Sequence, residues 1–322
     1  MTIVKAAFSL VILSCICAAG DAAPAATRPV NFLYTNSGDL INIQKLLNRP
    51  DIGGVQVVYN WKDLESTKGT YTFEKIEKDL RLLDGLHKKL FIQVQDRFFF
   101  PKDKNVLSYL MDDPIYTDGI VPQTDNPGEN KPVNMGWVAE QWNPNVQVRY
   151  QELLRALAAK FDGRVYGVNL PETAIDVDAK HDKTGFTCDK YFKAELENMS
   201  VAKEVFRKSY VVQYVNFWPC GWNNAHGYME KTFAHAAEIG VGLGGPDIVP
   251  YRKGQMQNSY PFFHSYKGKL LLVAMAVQEP TLTYINPQTK KHFTKQEFTD
   301  FGTNYLGTTI IFWSTSSPWL KE

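Results

Sequence analysis

The stretch LLLVAMAVQE, residues 270–279, places eight apolar residues in a row and ends them on Gln278 and Glu279. A strand with one face in water alternates apolar and polar residues. An unbroken run of this length reads instead as a strand buried on both faces. Such strands belong to parallel sheets, whose crossover helices cover the outside.

Seven further runs of the same kind lie at 30–34, 54–59, 90–95, 165–169, 210–217, 241–243 and 308–313. Helical periods separate them. Phe73, Ile76, Leu80 and Leu83 share one stripe, as do Val146, Tyr150, Leu153, Leu154, Leu157 and Phe161, and further helical patterns cover 191–206, 228–238 and 294–305. Strand–helix alternation implies right-handed βαβ units. Eight strands in series predict an α/β chain folded as one (β/α)8 TIM barrel over residues 27–322. Two features fit less simply. Segment 97–145 makes a long insertion after strand three, and only nine residues follow the eighth run, so either the eighth helix is incomplete or the strand count is off by one.

Barrel chemistry sits just beyond the C-terminal ends of the strands. Those positions hold Asn60 and Trp61; Gln95, Asp96 and Arg97; Glu172; Asn216 and Trp218; Asp247; Gln278 and Glu279; and Trp313. Two glutamates close apolar runs: Glu172 ends VYGVNLPE (165–172) and Glu279 ends LLLVAMAVQE. An unpaired buried charge is costly, so each must face a solvated cavity or a partner. Paired carboxylates across a barrel mouth suit glycosidic bond cleavage. One, kept protonated, donates to the leaving oxygen; the other attacks the anomeric carbon or activates water.

Residues 61–73, WKDLESTKGTYTF, precede a helix and the strand LFIQV at 90–94. This segment resembles the W…LE…G.Y.F signature after strand two in many retaining glycoside hydrolases of the large (β/α)8 clan, the beta-galactosidase- and endoglucanase-like enzymes. The resemblance implies that Glu172, after strand four, is the acid/base and that Glu279, after strand seven, is the nucleophile. It also implies a sugar platform at Trp313. The clan usually has Asn immediately before the acid/base, where it contacts the sugar 2-hydroxyl. This chain has Pro171, so Asn169 is a candidate to take over that contact.

The seven Trp (61, 137, 142, 218, 222, 313, 319) all fall in post-strand segments or in the third loop, as a sugar cleft lined with flat aromatic faces would require. The expected substrate-binding residues are Trp61, Gln95, Asn169, Asn216, Trp218, Asp247, Gln278 and Trp313.

The N-terminus has Lys5, an apolar run from Ala6 to Ala19 and a small-residue tail. That pattern predicts a secretory signal peptide over residues 1–22 and a secreted or periplasmic protein. Cys15, after Ile-Leu-Ser, leaves lipoprotein anchoring as a minor alternative. Once Cys15 and Cys17 leave with the signal, Cys188 and Cys220 remain, an even count in an oxidising compartment, and a disulfide between them is predicted. It contributes roughly 3–4 kcal/mol in the chain-entropy model. The two cysteines lie in the loops after strands four and five, neighbours on one rim.

A formal net charge of +1 offers no handle on polyanions, so nucleic acid is not an expected partner, nor is a membrane after signal removal. The 44% hydrophobic and 13% aromatic content rules out a disordered chain. Gly240, Gly242 and Gly245 spell G-x-G-x-x-G, but Pro246 follows and no helix opens, so a dinucleotide site is set aside. The six His lack metal-site spacing, and no G-x-S-x-G elbow occurs. Asp176, Asp178, His181 and Asp182 read as a solvated loop more than a calcium site, and Asn198 heads a formal glycosylation sequon. The expectation is a secreted two-glutamate retaining glycoside hydrolase needing no cofactor or metal. The alternative is a TIM barrel that binds carbohydrate without cleaving it. The sequence carries no signal of oligomeric state.

Overall fold

The eight apolar runs form the strands Val30–Asn36, Ile52–Asn60, Lys89–Gln95, Gly167–Leu170, Tyr210–Tyr214, Gly242–Gly245, Val273–Val277 and Ile310–Ser314. Each pairs in parallel with its sequence neighbours, and the first also pairs with the eighth, which closes the barrel. The protein is described here by a computed structural model covering residues 28–36, 40–102, 104, 106–124 and 134–321. The expected signal peptide, with Cys15, lies outside the described residues.

The strand count of eight is therefore right. After strand eight the described residues form only the 3-10 turn Pro318–Leu320. Strand seven starts at Val273, later than the apolar run. Its ladder with strand six opens at the Leu243–Val273 pair, and upstream of it Leu271 is exposed. Between strand three and the next long helix, Arg97–Phe98, Asn134–Ala139 and Ile120–Thr124 form a small antiparallel sheet, with the helix Ser108–Asp112 beside it.

The helices begin where short polar side chains can satisfy free amides. Asn143 accepts from the Asn145 amide at 2.9 Å and Pro144 opens the helix Pro144–Phe161, whose buried stripe includes Val146, Tyr150, Leu153, Leu154, Leu157 and Phe161. Thr187 accepts from the Lys190 amide to start Cys188–Val205. Thr294 and Glu297 make a reciprocal capping box on Lys295–Phe301. Tyr228–Ile239 ends at Gly240, whose φ of 71° suits the left-handed position that glycine takes without a Cβ penalty.

Alternation along each strand divides the core in two. Phe32, Tyr34, Phe91, Val212, Tyr214, Leu272, Ala274, Ala276, Ile310 and Phe312 fill the barrel lumen. Their neighbours of opposite parity, such as Leu33, Ile92, Val168, Ile311 and Trp313, pack outward under the helices. The glycines of strand six act through close approach, not phosphate binding: a Cβ on Gly244 would lie 1.8 Å from the carbonyl oxygen of Ala274. Asn198 of the sequon is fully buried and donates to Gln141 Oε1 at 3.1 Å, so it is no glycan acceptor in the folded chain.

Candidate active site

Strand four ends at Leu170, and the chain turns at Pro171 to present Glu172, half-buried, at the mouth. Asn216, just beyond strand five, donates to Glu172 Oε2 at 3.3 Å. The segment is anchored from below. The Thr173 amide donates to Tyr214 O at 3.0 Å, and the Thr173 hydroxyl donates to Phe217 O at 2.8 Å. Burial, followed by the charge of Asp247, pushes the Glu172 carboxyl up to about 7, against the pull of Asn216 and Arg97.

Behind Glu172 lies a fully buried ionic cluster. Arg97 donates to the backbone carbonyl of Glu172 and to the Tyr191 hydroxyl. It also pairs with Asp96 at 2.8 Å and with Glu195 at 2.9 Å. Gln141 donates to the second oxygen of Asp96 at 2.7 Å. Arg97 thus neutralises buried carboxylates while fixing the main chain that carries Glu172, and its fork of donors suits both tasks.

Glu279 follows strand seven and is exposed. Its Oε1 accepts from the hydroxyl of Ser314, the last residue of strand eight, at 2.6 Å. Asp247, after strand six, accepts from the Thr281 hydroxyl. The common neighbour of all three carboxylates is Tyr34, at the top of the lumen. Burial first, then the charges of Glu279, Glu172 and Asp247, raise its phenol far above the ordinary range. The two glutamates singled out by the apolar runs and Asp247 therefore all act electrostatically on one tyrosine at the barrel mouth.

Below the mouth the lumen turns polar. Gln56 and Tyr214 exchange hydrogen bonds at 2.9 and 3.1 Å. Gln93 and Asn169 are register partners on strands three and four. Asn169 is fully buried there and donates to Leu170 O, so it does not stand in at the surface for the residue that Pro171 replaces. Gln95 is half-buried at the end of strand three, its amide donating to Arg97 O at 2.7 Å. Gln278 is half-buried beside Glu279 in sequence.

The three tryptophans expected to line a cleft do not. Trp61 is fully buried, donates to Glu65 at 2.8 Å and meets Tyr150 edge-on. Trp218 is fully buried among Tyr191, Phe192 and Tyr228. Trp313 has outward parity: it sits in the layer between barrel and helices, against Phe298 and Trp319, and donates to Asn31 Oδ1 at 2.8 Å. None has a free face for a sugar. Post-strand position alone selected them, and it does not say which way a ring points.

Sequence position also left Tyr34, Ser314 and Arg97 without a role. The parity of VNFLYTN, with Phe32 and Tyr34 on one side, was the available signal for Tyr34. Nothing local marks Ser314, whose partner comes from another strand. Cys188, the first residue of the helix after strand four, forms a disulfide with Cys220 in the loop after strand five. Among the described residues no group of three or more His, Cys, Asp or Glu is placed to hold a metal, and Asp178 is paired with His181 at 2.7 Å.

No protein-family model matches the chain, and no curated protein sequence is similar to it. Solved structures share its fold. The catalytic domain of a beta-amylase from Paenibacillus polymyxa superposes with a TM-score of 0.59 at 8% identity, over 89% of this chain and 93% of that one. A family 39 glycoside hydrolase from Bacteroides cellulosilyticus gives 0.51 at 11%, over 89% of this chain and 56% of that one, so the chain spans just over half its length. An old yellow enzyme homologue from Zymomonas mobilis gives 0.53 at 8%, over 90% and 85%. Two of these bear glycosidase names and the third does not. At such identities the likeness establishes the barrel, and chemistry has to be argued from the site.

Proposed function

We propose that the chain is a glycoside hydrolase acting with retention on an oligo- or polysaccharide, with Glu172 as acid/base and Glu279 as nucleophile. The observation that carries this reading is a mouth where Glu172, after strand four, accepts from Asn216 and is held up to about 7, and Glu279, after strand seven, accepts from Ser314. A carboxyl with that value still holds its proton near neutrality and can deliver it to the glycosidic oxygen. Glu279 attacks the anomeric carbon as the bond to that oxygen breaks, forming a glycosyl ester. Glu172, now ionised, takes a proton from water, which attacks the same carbon and releases Glu279. Ser314 orients the attacking carboxylate, and Arg97 fixes the main chain of Glu172. The chemistry calls for no cofactor.

The second reading is a barrel that binds carbohydrate without cleaving it, and Pro171 is the observation that favours it. Its side chain has no donor, and its carbonyl accepts from Gln213, so position 171 offers nothing to a sugar hydroxyl. Release of reducing ends from xylan, β-glucan, mannan and starch decides between the two. A hydrolase releases them from at least one, and Glu279→Gln cuts the rate by a factor of about 10³ or more. No release from any, with binding retained in Glu279→Gln, leaves the binding protein.

The disulfide fits an oxidising compartment, and we propose export after removal of residues 1–22, with 27–322 as the catalytic domain. Among the described residues no helix is long and apolar enough to cross a membrane.

A further inference from the structure

Of the seven tryptophans only Trp222 is largely exposed, at 52%. It lies in the loop after strand five and stacks on Phe217, with ring centroids 5.5 Å apart and an interplanar angle of 18°. Phe217 is bound to the catalytic segment on both sides. Its carbonyl accepts from Thr173, the residue after Glu172, and its chain neighbour Asn216 donates to Glu172 itself. The main chain that carries Phe217 is therefore tied to the segment of Glu172, while Glu279 is held from the side of strand eight by Ser314.

The backbone that carries Trp222 is unusual. Cys220, Asn223, Asn224 and His226 have φ of 58°, 54°, 57° and 60°, in the left-handed region that residues with a Cβ avoid. Four such residues within seven persist only if the surroundings hold them. The surroundings do so: Cys220 is bonded to Cys188 at the start of the helix Cys188–Val205, and the Asn223 amide donates to Asn258 Oδ1 at 3.2 Å. A constrained turn, residues 220–226, whose one tryptophan faces solvent does not serve the core. It presents a surface.

We propose that Trp222, backed by Phe217, is the platform for the sugar ring on the leaving-group side of the scissile bond. A pyranose offers a face of C–H groups that packs on an indole. The side follows from the chemistry: the platform adjoins the proton donor, and the donor serves the departing oxygen. The assignment of side rests on the glycoside hydrolase reading above; the binding surface itself does not.

The test is affinity electrophoresis of the full chain through gels containing soluble xylan, mixed-linkage β-glucan, galactomannan or starch, with reducing-end release measured in parallel. At least one polysaccharide retards the wild-type protein. Trp222→Leu weakens that retention about tenfold, whereas Trp222→Tyr, which keeps a flat ring, retains most of it. On the retarding polysaccharide Trp222→Leu raises KM more than it lowers kcat. Both variants keep the wild-type thermal midpoint, because the ring is exposed. If no polysaccharide retards the wild type, or if Leu and Tyr at 222 behave alike, the platform is wrong. Cleavage that is indifferent to Trp222 removes the platform and leaves the hydrolase. Retention that depends on Trp222 without any cleavage keeps the platform as a binding surface and removes the hydrolase.

Discussion

Arg97 donates to the main-chain carbonyl of Glu172 while its side chain is fully buried between Asp96 and Glu195. One cation thereby links the position of the candidate acid to the charge balance of the protein interior. Removing it leaves two carboxylates in a dry site. Arg97→Met is therefore expected to lose about 3–5 kcal/mol of stability, as when one partner of a buried ion pair is deleted. The loss is smaller at pH 5 than at pH 8. Burial already raises the Glu195 carboxyl against the pull of Arg97, so without the guanidinium it holds a proton more readily when folded than when unfolded, and acid restores part of the loss. Urea denaturation at the two pH values checks this, and equal midpoints for variant and wild type would exclude the role.

In the proposed hydrolase the pH–rate profile is set by Glu172 and its neighbour Asp247. Glu172 must be protonated to donate, so kcat/KM declines on a basic limb near pH 7. The charge of Asp247 helps hold Glu172 up, so Asp247→Asn lets it ionise earlier and moves that limb to lower pH. Glu172→Gln abolishes the limb and lowers the rate by about 10²–10⁴. The profile is read on whichever polysaccharide the enzyme cleaves. A limb that stays in place in Asp247→Asn, or moves upward, contradicts the arrangement.

Glu140 predicts a stability slope away from the site. It is fully buried: one oxygen accepts from the Asp118 amide at 3.2 Å, and the other has no partner among the described residues. Burial pushes its carboxyl from an ordinary 4.5 up to about 8, with the charges of Asp118 and Asp182 adding to the shift. The folded chain thus holds this proton more tightly than the unfolded one. The stabilisation is complete below about 4.5 and is lost as pH rises through about 8. Glu172 and Glu195 act in the same direction but centre on about 7, so from pH 7 to 8 Glu140 carries the largest share of the slope. Thermal midpoints should fall across that interval in the wild type and fall less steeply in Glu140→Gln. An unchanged slope in the variant assigns the proton elsewhere.

What could be read from the residues and what could not divide along a physical line. Eight strands were legible because each is buried on both faces, and burial on both faces writes itself into consecutive residues, as in LLLVAMAVQE. Glu172 and Glu279 were legible for a related reason: a carboxylate directly after such a run must find a solvated mouth or a partner. The facing of the tryptophans was not legible. On a strand one residue's difference in register exchanges lumen for outer layer. Trp313 lies on the outer side and bonds Asn31, 282 positions away, while Ser314 turns to Glu279.

The chain by itself thus determined the order of strands and helices, the barrel, and the two carboxylates that close apolar runs. Only the tertiary structure decided that Tyr34 feels the charges of Glu172, Asp247 and Glu279 together, that Arg97 fixes the backbone of one of them, and that Trp222 is the exposed tryptophan. Periodicity is a property of neighbours along the chain. The contacts of the site pass from strand to strand around the mouth, and the meeting of the first strand with the eighth adds Tyr34, so residues that no local pattern relates come together.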